Sequence, residues 1–191
     1  MSLFLCLFLS SLLQLIHVAE SQAVACSQPL DRGNDHCAKA HKSIKYFYDS
    51  SLETCFPYQF EGCEGGPNKF DTEDQCYQRC RPADKGNCGA NSKPLGSCTA
   101  LEKKCPEGSK CIVMAFGIGL CCDSKIQEDW LADREPKCPS NSKLATVQQW
   151  YGDTTLLGRN CSHKFCPSGS KCLSGKWFSY CCKSQKSKSA F

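Results

Sequence analysis

Apolar residues fall in one sustained run at the start of the chain and only in short groups afterwards. Met1 to Ile16 carries Leu3-Phe4-Leu5-Cys6-Leu7-Phe8-Leu9 and Leu12-Leu13-Gln14-Leu15-Ile16, with polar residues close behind. Further on, Tyr46-Phe47-Tyr48 and the pair Tyr58 and Phe60 flank Asp49-Ser50-Ser51, a pattern that predicts a β-hairpin. Asp71-Thr72-Glu73-Asp74-Gln75 then predicts a helix start. Thr72 is placed to cap the Gln75 amide, Gln75 to reach back, and Arg79 to sit at the negative end. Cys76 and Cys80 are four apart, which puts both on the helix face that must meet the hairpin. Beyond residue 81 the pattern predicts little helix. It gives short strands at Lys110-Cys-Ile-Val-Met and Lys176-Trp-Phe-Ser-Tyr, with turns at Pro106-Glu-Gly and Pro167-Ser-Gly.

The opening run is too short to span a bilayer and has the form of a secretory signal peptide, residues 1–21, with cleavage after Ser21 or alternatively after Ala23. The chain is therefore expected to be secreted and extracellular, without a membrane span. Export changes the meaning of the nineteen cysteines. Apart from Cys6 they fall into three blocks of six, 26–80, 88–122 and 138–182, which in an oxidising compartment read as three small disulfide-closed modules. Units this small bury too little surface to be stable on a hydrophobic core alone, so cross-links must supply part of the stability. The expected fold class is small and disulfide-rich: an α+β first module of twisted hairpin plus C-terminal helix, then two loop-rich cysteine-rich modules.

Net charge is +4 but uneven: residues 26–80 carry six Lys/Arg against nine Asp/Glu, whereas 81–191 carry seventeen against nine. The basic rear half, ending in the tail 183–191, suits an anionic glycan or extracellular matrix partner, or serves only to keep the tail solvated. No nucleic-acid partner is expected.

The first block has the spacing C-x10-C-x17-C-x7-C-x12-C-x3-C. Six cysteines by themselves permit fifteen pairings. With Tyr46-Phe47-Tyr48, the C-x7-C interval, Asn68-Lys69-Phe70 and the closing C-x3-C, residues 26–80 resemble the Kunitz/pancreatic trypsin inhibitor domain. The resemblance implies the pairs Cys26–Cys80, Cys37–Cys63 and Cys55–Cys76. It also implies a loop around Cys37 that enters a serine protease in an extended, substrate-like form. The implied contact residues are His36, Cys37, Ala38, Lys39, Ala40, Phe60 and Glu61, with the reactive bond at Ala38-Lys39. Alanine in the primary pocket favours an elastase-like protease; a slip of one residue would present Lys39 and make a trypsin-like protease the target.

Three features depart from the family. The Cys26–Cys37 and Cys37–Tyr46 intervals are each two residues longer than usual; Asn34-Asp35-His36 replaces a glycine-containing approach, with Gly33 displaced; and Glu61 stands where the family has glycine. These changes are expected to loosen the loop or obstruct docking. His36 and His41 flank the loop as candidate pH-sensitive groups or as ordinary solvated histidines.

Residues 88–122 and 138–182 are repeats of one another. Cys105-Pro-Glu-Gly-Ser-Lys-Cys111 matches Cys166-Pro-Ser-Gly-Ser-Lys-Cys172, and both copies end on adjacent cysteines, Cys121-Cys122 and Cys181-Cys182. The second copy has thirteen extra residues around Gln148-Gln149-Trp150-Tyr151-Gly152-Asp153, expected to form a long surface loop. The C-P-x-G-S-K-C core and terminal Cys-Cys resemble the lustrin-type cysteine-rich repeat, which accompanies Kunitz domains in secreted invertebrate proteins. The pairing within each repeat is open, except that adjacent cysteines rarely bond each other. Residues 123–137 read as a charged, exposed linker whose Trp130 packs between repeats or anchors a partner.

Cys161, His163 and Cys166 have metal-ligand spacing, but the first copy lacks the histidine and export favours disulfides, so no metal and no cofactor is expected. Asn160-Cys161-Ser162 is an N-glycosylation sequon with Asn160 as candidate acceptor. No catalytic arrangement of recognisable spacing occurs, and an enzyme is not expected. The alternatives to inhibition are an extracellular interaction or matrix scaffold and, as known for some Kunitz folds, a channel blocker.

Overall fold

The computed structural model describes residues 25–81, 85–149 and 152–184. The signal-peptide reading, Trp150, Tyr151 and most of the basic tail lie outside the described residues. Two compact units result, the first built chiefly on residues up to 81 and the second chiefly on residues from 85.

In the first unit, strands β1 (Ser43–Asp49) and β2 (Thr54–Phe60) form the two-stranded hairpin that the aromatic pattern predicts. Its turn is fixed by the Asp49 carboxylate, which accepts the amides of Ser51 at 2.9 Å and Leu52 at 3.2 Å. Helix α1 (Glu73–Cys80) follows. Thr72 Oγ1 accepts the Gln75 amide at 3.1 Å, while the Gln75 side chain reaches one residue further back than a simple capping box, to the Asp71 amide at 3.2 Å. Tyr48, Cys55 and Cys76 form the centre of the core, with Cys26, Tyr46, Phe70, Tyr77 and Cys80 packed around them. The disulfides Cys26–Cys80, Cys37–Cys63 and Cys55–Cys76 close it. The Asn68 side chain, only 2% exposed, bonds both the N–H and the C=O of Tyr48 at 2.8 and 2.9 Å and the Gln28 carbonyl at 2.8 Å.

The second unit holds both repeats. The first is a sheet ordered β3 (Gly96–Thr99), β5 (Ile118–Asp123), β4 (Ser109–Val113). The second is built on β6 (Ser142–Leu144), β9 (Leu157–Gly158), β10 (Ser170–Ser174) and β11 (Ser179–Ser184), with β11 central. Connectivity is the same in the two copies. Cys88–Cys122, Cys98–Cys111 and Cys105–Cys121 correspond to Cys138–Cys182, Cys161–Cys172 and Cys166–Cys181, so adjacent cysteines reach different partners. Turns close at the expected prolines, with Ser109 and Ser170 amides donating to the Pro106 and Pro167 carbonyls at 3.1 Å.

Three sequence expectations change here. The insertion is not an irregular loop: β7 (Thr146–Gln149) and β8 (Gly152–Thr155) pair as a hairpin, because Thr146, Val147, Thr154 and Thr155 supply β-branched partners in register. Lys176 and Trp177 lie at the tip of the β10–β11 hairpin, since Gly175 N–H donates to the Phe178 carbonyl at 2.7 Å, and the strand starts only at Ser179. Finally, residues expected to be an exposed linker contain helix α2 (Ser124–Arg134), capped by Asp123, whose carboxylate takes the Ile126 amide at 2.8 Å. The Lys125–Asp129 pair one turn apart supports it, and the lysines Lys125 and Lys176 hold the Asp129 carboxyl below the usual carboxylate range.

One face of α2 is buried. Gln127 Oε1 accepts the Gly89 amide of the first repeat at 2.8 Å, and Trp130 lies 4.5 Å from the Phe178 ring and 5.5 Å from the Trp177 ring of the second. Asp133 then accepts the amides of Lys176, Trp177 and Phe178 at 3.0, 2.6 and 3.0 Å. Residues 127, 130 and 133 recur every three positions, so one helix face fastens both repeats.

Candidate functional site: the exposed loop at Cys37

His36, Cys37, Ala38, Lys39 and Ala40 form one contiguous exposed loop, and Asp35, His41 and Lys42 continue it on either side. Its base is fixed by backbone. Asn34 and Cys63 exchange N–H to C=O bonds at 3.0 and 2.9 Å, Glu61 N–H donates to the Arg32 carbonyl at 3.0 Å, and Cys37 N–H points at Cys63 Sγ at 3.3 Å. Gly33, displaced along the chain relative to the family, is where the backbones come closest. It has φ +68°, and a Cβ there would lie 2.2 Å from the Cys63 carbonyl oxygen. Gly62 is equally constrained, with φ +118° and the His41 amide nitrogen only 2.5 Å from where a Cβ would stand.

Ala38 and Lys39 are the middle residues of a turn in the free protein, closed by the Ala40 amide donating to the Cys37 carbonyl at 3.2 Å. The surplus residues on each side of Cys37 give this segment the slack to fold on itself. The segment is thus presented outward, but not in the extended form that the resemblance implies.

Phe60 is 8% exposed, with Lys69 Nζ 4.2 Å above its ring, so it supports the loop from beneath instead of being offered to a partner. Glu61 also departs from expectation. Its side chain is 16% exposed and lies between two cations, paired with Arg32 on one side and with Lys42 Nζ at 3.0 Å on the other. Lys42 also stands 3.6 Å from Asp35, and the hydrogen bond it donates to Glu61 raises the lysine's affinity for its proton. Arg32 and Lys42 are the site residues that sequence reasoning missed. They lie 29 and 19 residues from Glu61, and no local pattern marks such a contact.

Elsewhere, Asn160 is exposed and its Oδ1 accepts the Ser162 amide at 2.9 Å. Cys161 and Cys166, the sulfurs of the metal-spaced group, are both in disulfides. No described helix is long and apolar enough to cross a membrane.

A disulfide-closed hairpin with a C-terminal helix, offering a loop around its second cysteine, defines a Kunitz-type inhibitor module. Residues 25–81 match the Kunitz/Bovine pancreatic trypsin inhibitor domain. Over almost its whole length the chain is similar to the BPTI/Kunitz inhibitor domain-containing protein C02F12.5 of Caenorhabditis elegans, 42% identical across 93% of this chain and 99% of that protein. The major allergen Ani s 1 of Anisakis simplex is 33% identical across 88% of this chain and 91% of its own length. Papilin of Drosophila melanogaster is 26% identical across 70% of this chain, which spans only 4% of that protein. The chain belongs to the Kunitz/BPTI inhibitor domain family.

Proposed function

We propose that this chain is a secreted, stoichiometric inhibitor of serine proteases acting through Ala38-Lys39. One observation carries the reading: that bond lies at the exposed apex of a loop whose base is held by the Cys37–Cys63 bridge and, on the side before Cys37, by backbone bonds of Arg32 and Asn34 to residues 61 and 63. A loop held at its base loses little entropy on docking, and an amine that stays tethered after attack re-forms the bond in preference to leaving. Docking in extended form must first break the Ala40 to Cys37 bond, a cost of about 0.5–1.5 kcal/mol. The Ala38 methyl suits a shallow, elastase-like pocket; presentation of Lys39 would instead suit a trypsin-like one.

Titrating the oxidised protein against elastase, chymotrypsin and trypsin tests this, and absence of saturable inhibition at micromolar concentration would remove the function. Ala38→Arg should improve inhibition of trypsin relative to elastase by roughly tenfold or more, the scale of about 1.4 kcal/mol in the pocket. An unchanged panel would show that Ala38 is not the primary contact.

A second reading, an extracellular interaction scaffold, is favoured by the β7–β8 hairpin added to the second repeat and by the +8 net charge of residues 81–191. Here the lustrin-type repeats, with Asn160 as a glycan acceptor, would meet anionic glycan or matrix material. Binding to sulfated glycan that survives removal of residues 26–80 would support it.

A further inference from the structure

Resting on the inhibitor reading, we propose that Glu61 is a positioning residue that holds the lengthened loop shut by charge, in the place where the family holds a shorter loop with glycine. Arg32 enters the loop, Lys42 leaves it, and the Glu61 carboxylate pairs with both. Lys42 passes the tie on to Asp35, inside the loop on the other side of Cys37. The result is an alternating chain, Arg32, Glu61, Lys42, Asp35, that spans the base.

The location matches the need. The family departure consists of two surplus residues before Cys37 and two after it, and one cation of the chain stands in each flank. The disulfide at Cys37 fixes the middle of the segment and the backbone bonds of Arg32 and Asn34 fix its entry, which leaves the exit through Lys42 to be held by the side-chain tie. The half-buried carboxylate pins that exit to the backbone segment 61–63, which is already bonded to Arg32 and Asn34 on the entry side. Because the side chain turns inward at 16% exposure and its charge is shared between two cations, it does not stand in the path of a docking enzyme. The outer pair, whose Lys42 side chain is 53% exposed, weakens with salt, whereas the disulfide and backbone bonds do not, which separates the contributions experimentally.

The test compares the full oxidised chain with Glu61→Gln, which keeps size and removes charge. The readouts are the inhibition constant against the protease identified in the panel, the rate of cleavage at Ala38-Lys39, and hydrogen exchange of the Ala40 and Cys63 amides, each at low and at about 1 M salt. Glu61→Gln is expected to weaken inhibition roughly tenfold at low salt, to speed cleavage and to raise exchange at both amides, while melting shifts little. At high salt the difference between the two proteins should narrow, since the Lys42 pair is screened and the more enclosed Arg32 pair much less. Lys42→Gln should give part of the loss, and combining it with Glu61→Gln should add little, since both break one network. Equal inhibition and equal exchange in Glu61→Gln, or a difference that salt leaves untouched, would overturn the proposal. If the chain inhibits no protease, the inhibitor reading fails by itself, and the exchange comparison still decides whether Glu61 clamps the loop. Should Glu61→Gln unfold, Lys42→Gln carries the same comparison from an exposed site.

Discussion

Asn68→Leu is expected to lower the stability of the first unit by about 3–5 kcal/mol, a large part of what a domain of this size has. The side chain is almost fully buried and satisfies three backbone groups, two on Tyr48 in β1 and one on Gln28 near the N-terminal cysteine. Leucine has the same branching at Cγ but is larger, so those groups lose their partner, each at a cost of about 1–3 kcal/mol, and some overpacking adds to the loss. Asn68→Asp should cost at least as much, because it can still accept the Tyr48 amide but an ionised carboxylate would face the Gln28 and Tyr48 carbonyl oxygens in a buried site. Thermal unfolding of the oxidised chain measures this, with a midpoint drop of about 15–30 °C expected for Asn68→Leu. A loss under about 1 kcal/mol would mean that the Tyr48 and Gln28 groups find water or other partners.

Trp130→Ala is expected to cost about 3–5 kcal/mol in the second unit and to separate the melting of its two repeats. The indole fills the space between the first repeat at Gly89 and the rings of Trp177 and Phe178 in the second; a Cβ on Gly89 would already come within 2.8 Å of the Trp130 side chain. Its loss opens a cavity and removes two aromatic contacts at once. Asp133→Ala should act in the same direction by a smaller amount, leaving three amides at the Lys176–Phe178 tip without their carboxylate. Calorimetry that shows one unchanged transition for Trp130→Ala would contradict the role given to α2. Each repeat keeps its three disulfides in these variants, so the readout is coupling between repeats and not their individual closure.

Much of the first unit was legible because its signals are local or closely spaced. Alternating aromatics give β1 and β2, Thr72 and Gln75 start α1, and the cysteine intervals carry the family resemblance. The duplicated repeats were legible in the same way, from matching cysteine frames. What escaped were the side-chain contacts and helix packing that depend on partners far apart in the chain. Residues 124–134 show a weak apolar stripe, with Gln127 and Asp133 on the buried face, so composition made them look exposed. Only Gly89 on one side and the 176–178 tip on the other give those polar groups something to bond. The conformation of Ala38 and Lys39 escaped for a related reason: the resemblance supplies an extended loop, but the extra length permits a turn.

Glu61 shows where the boundary lies. Sequence alone determined that a carboxylate stands in a glycine's place beside the loop, and that the modules are closed by cysteine, because both follow from residue identity and spacing. Whether that carboxylate repels a partner or draws the loop together was decided only by the tertiary structure. The sign of a charge's effect depends on what surrounds it, and here Arg32 and Lys42 reach it from separate turns of the backbone.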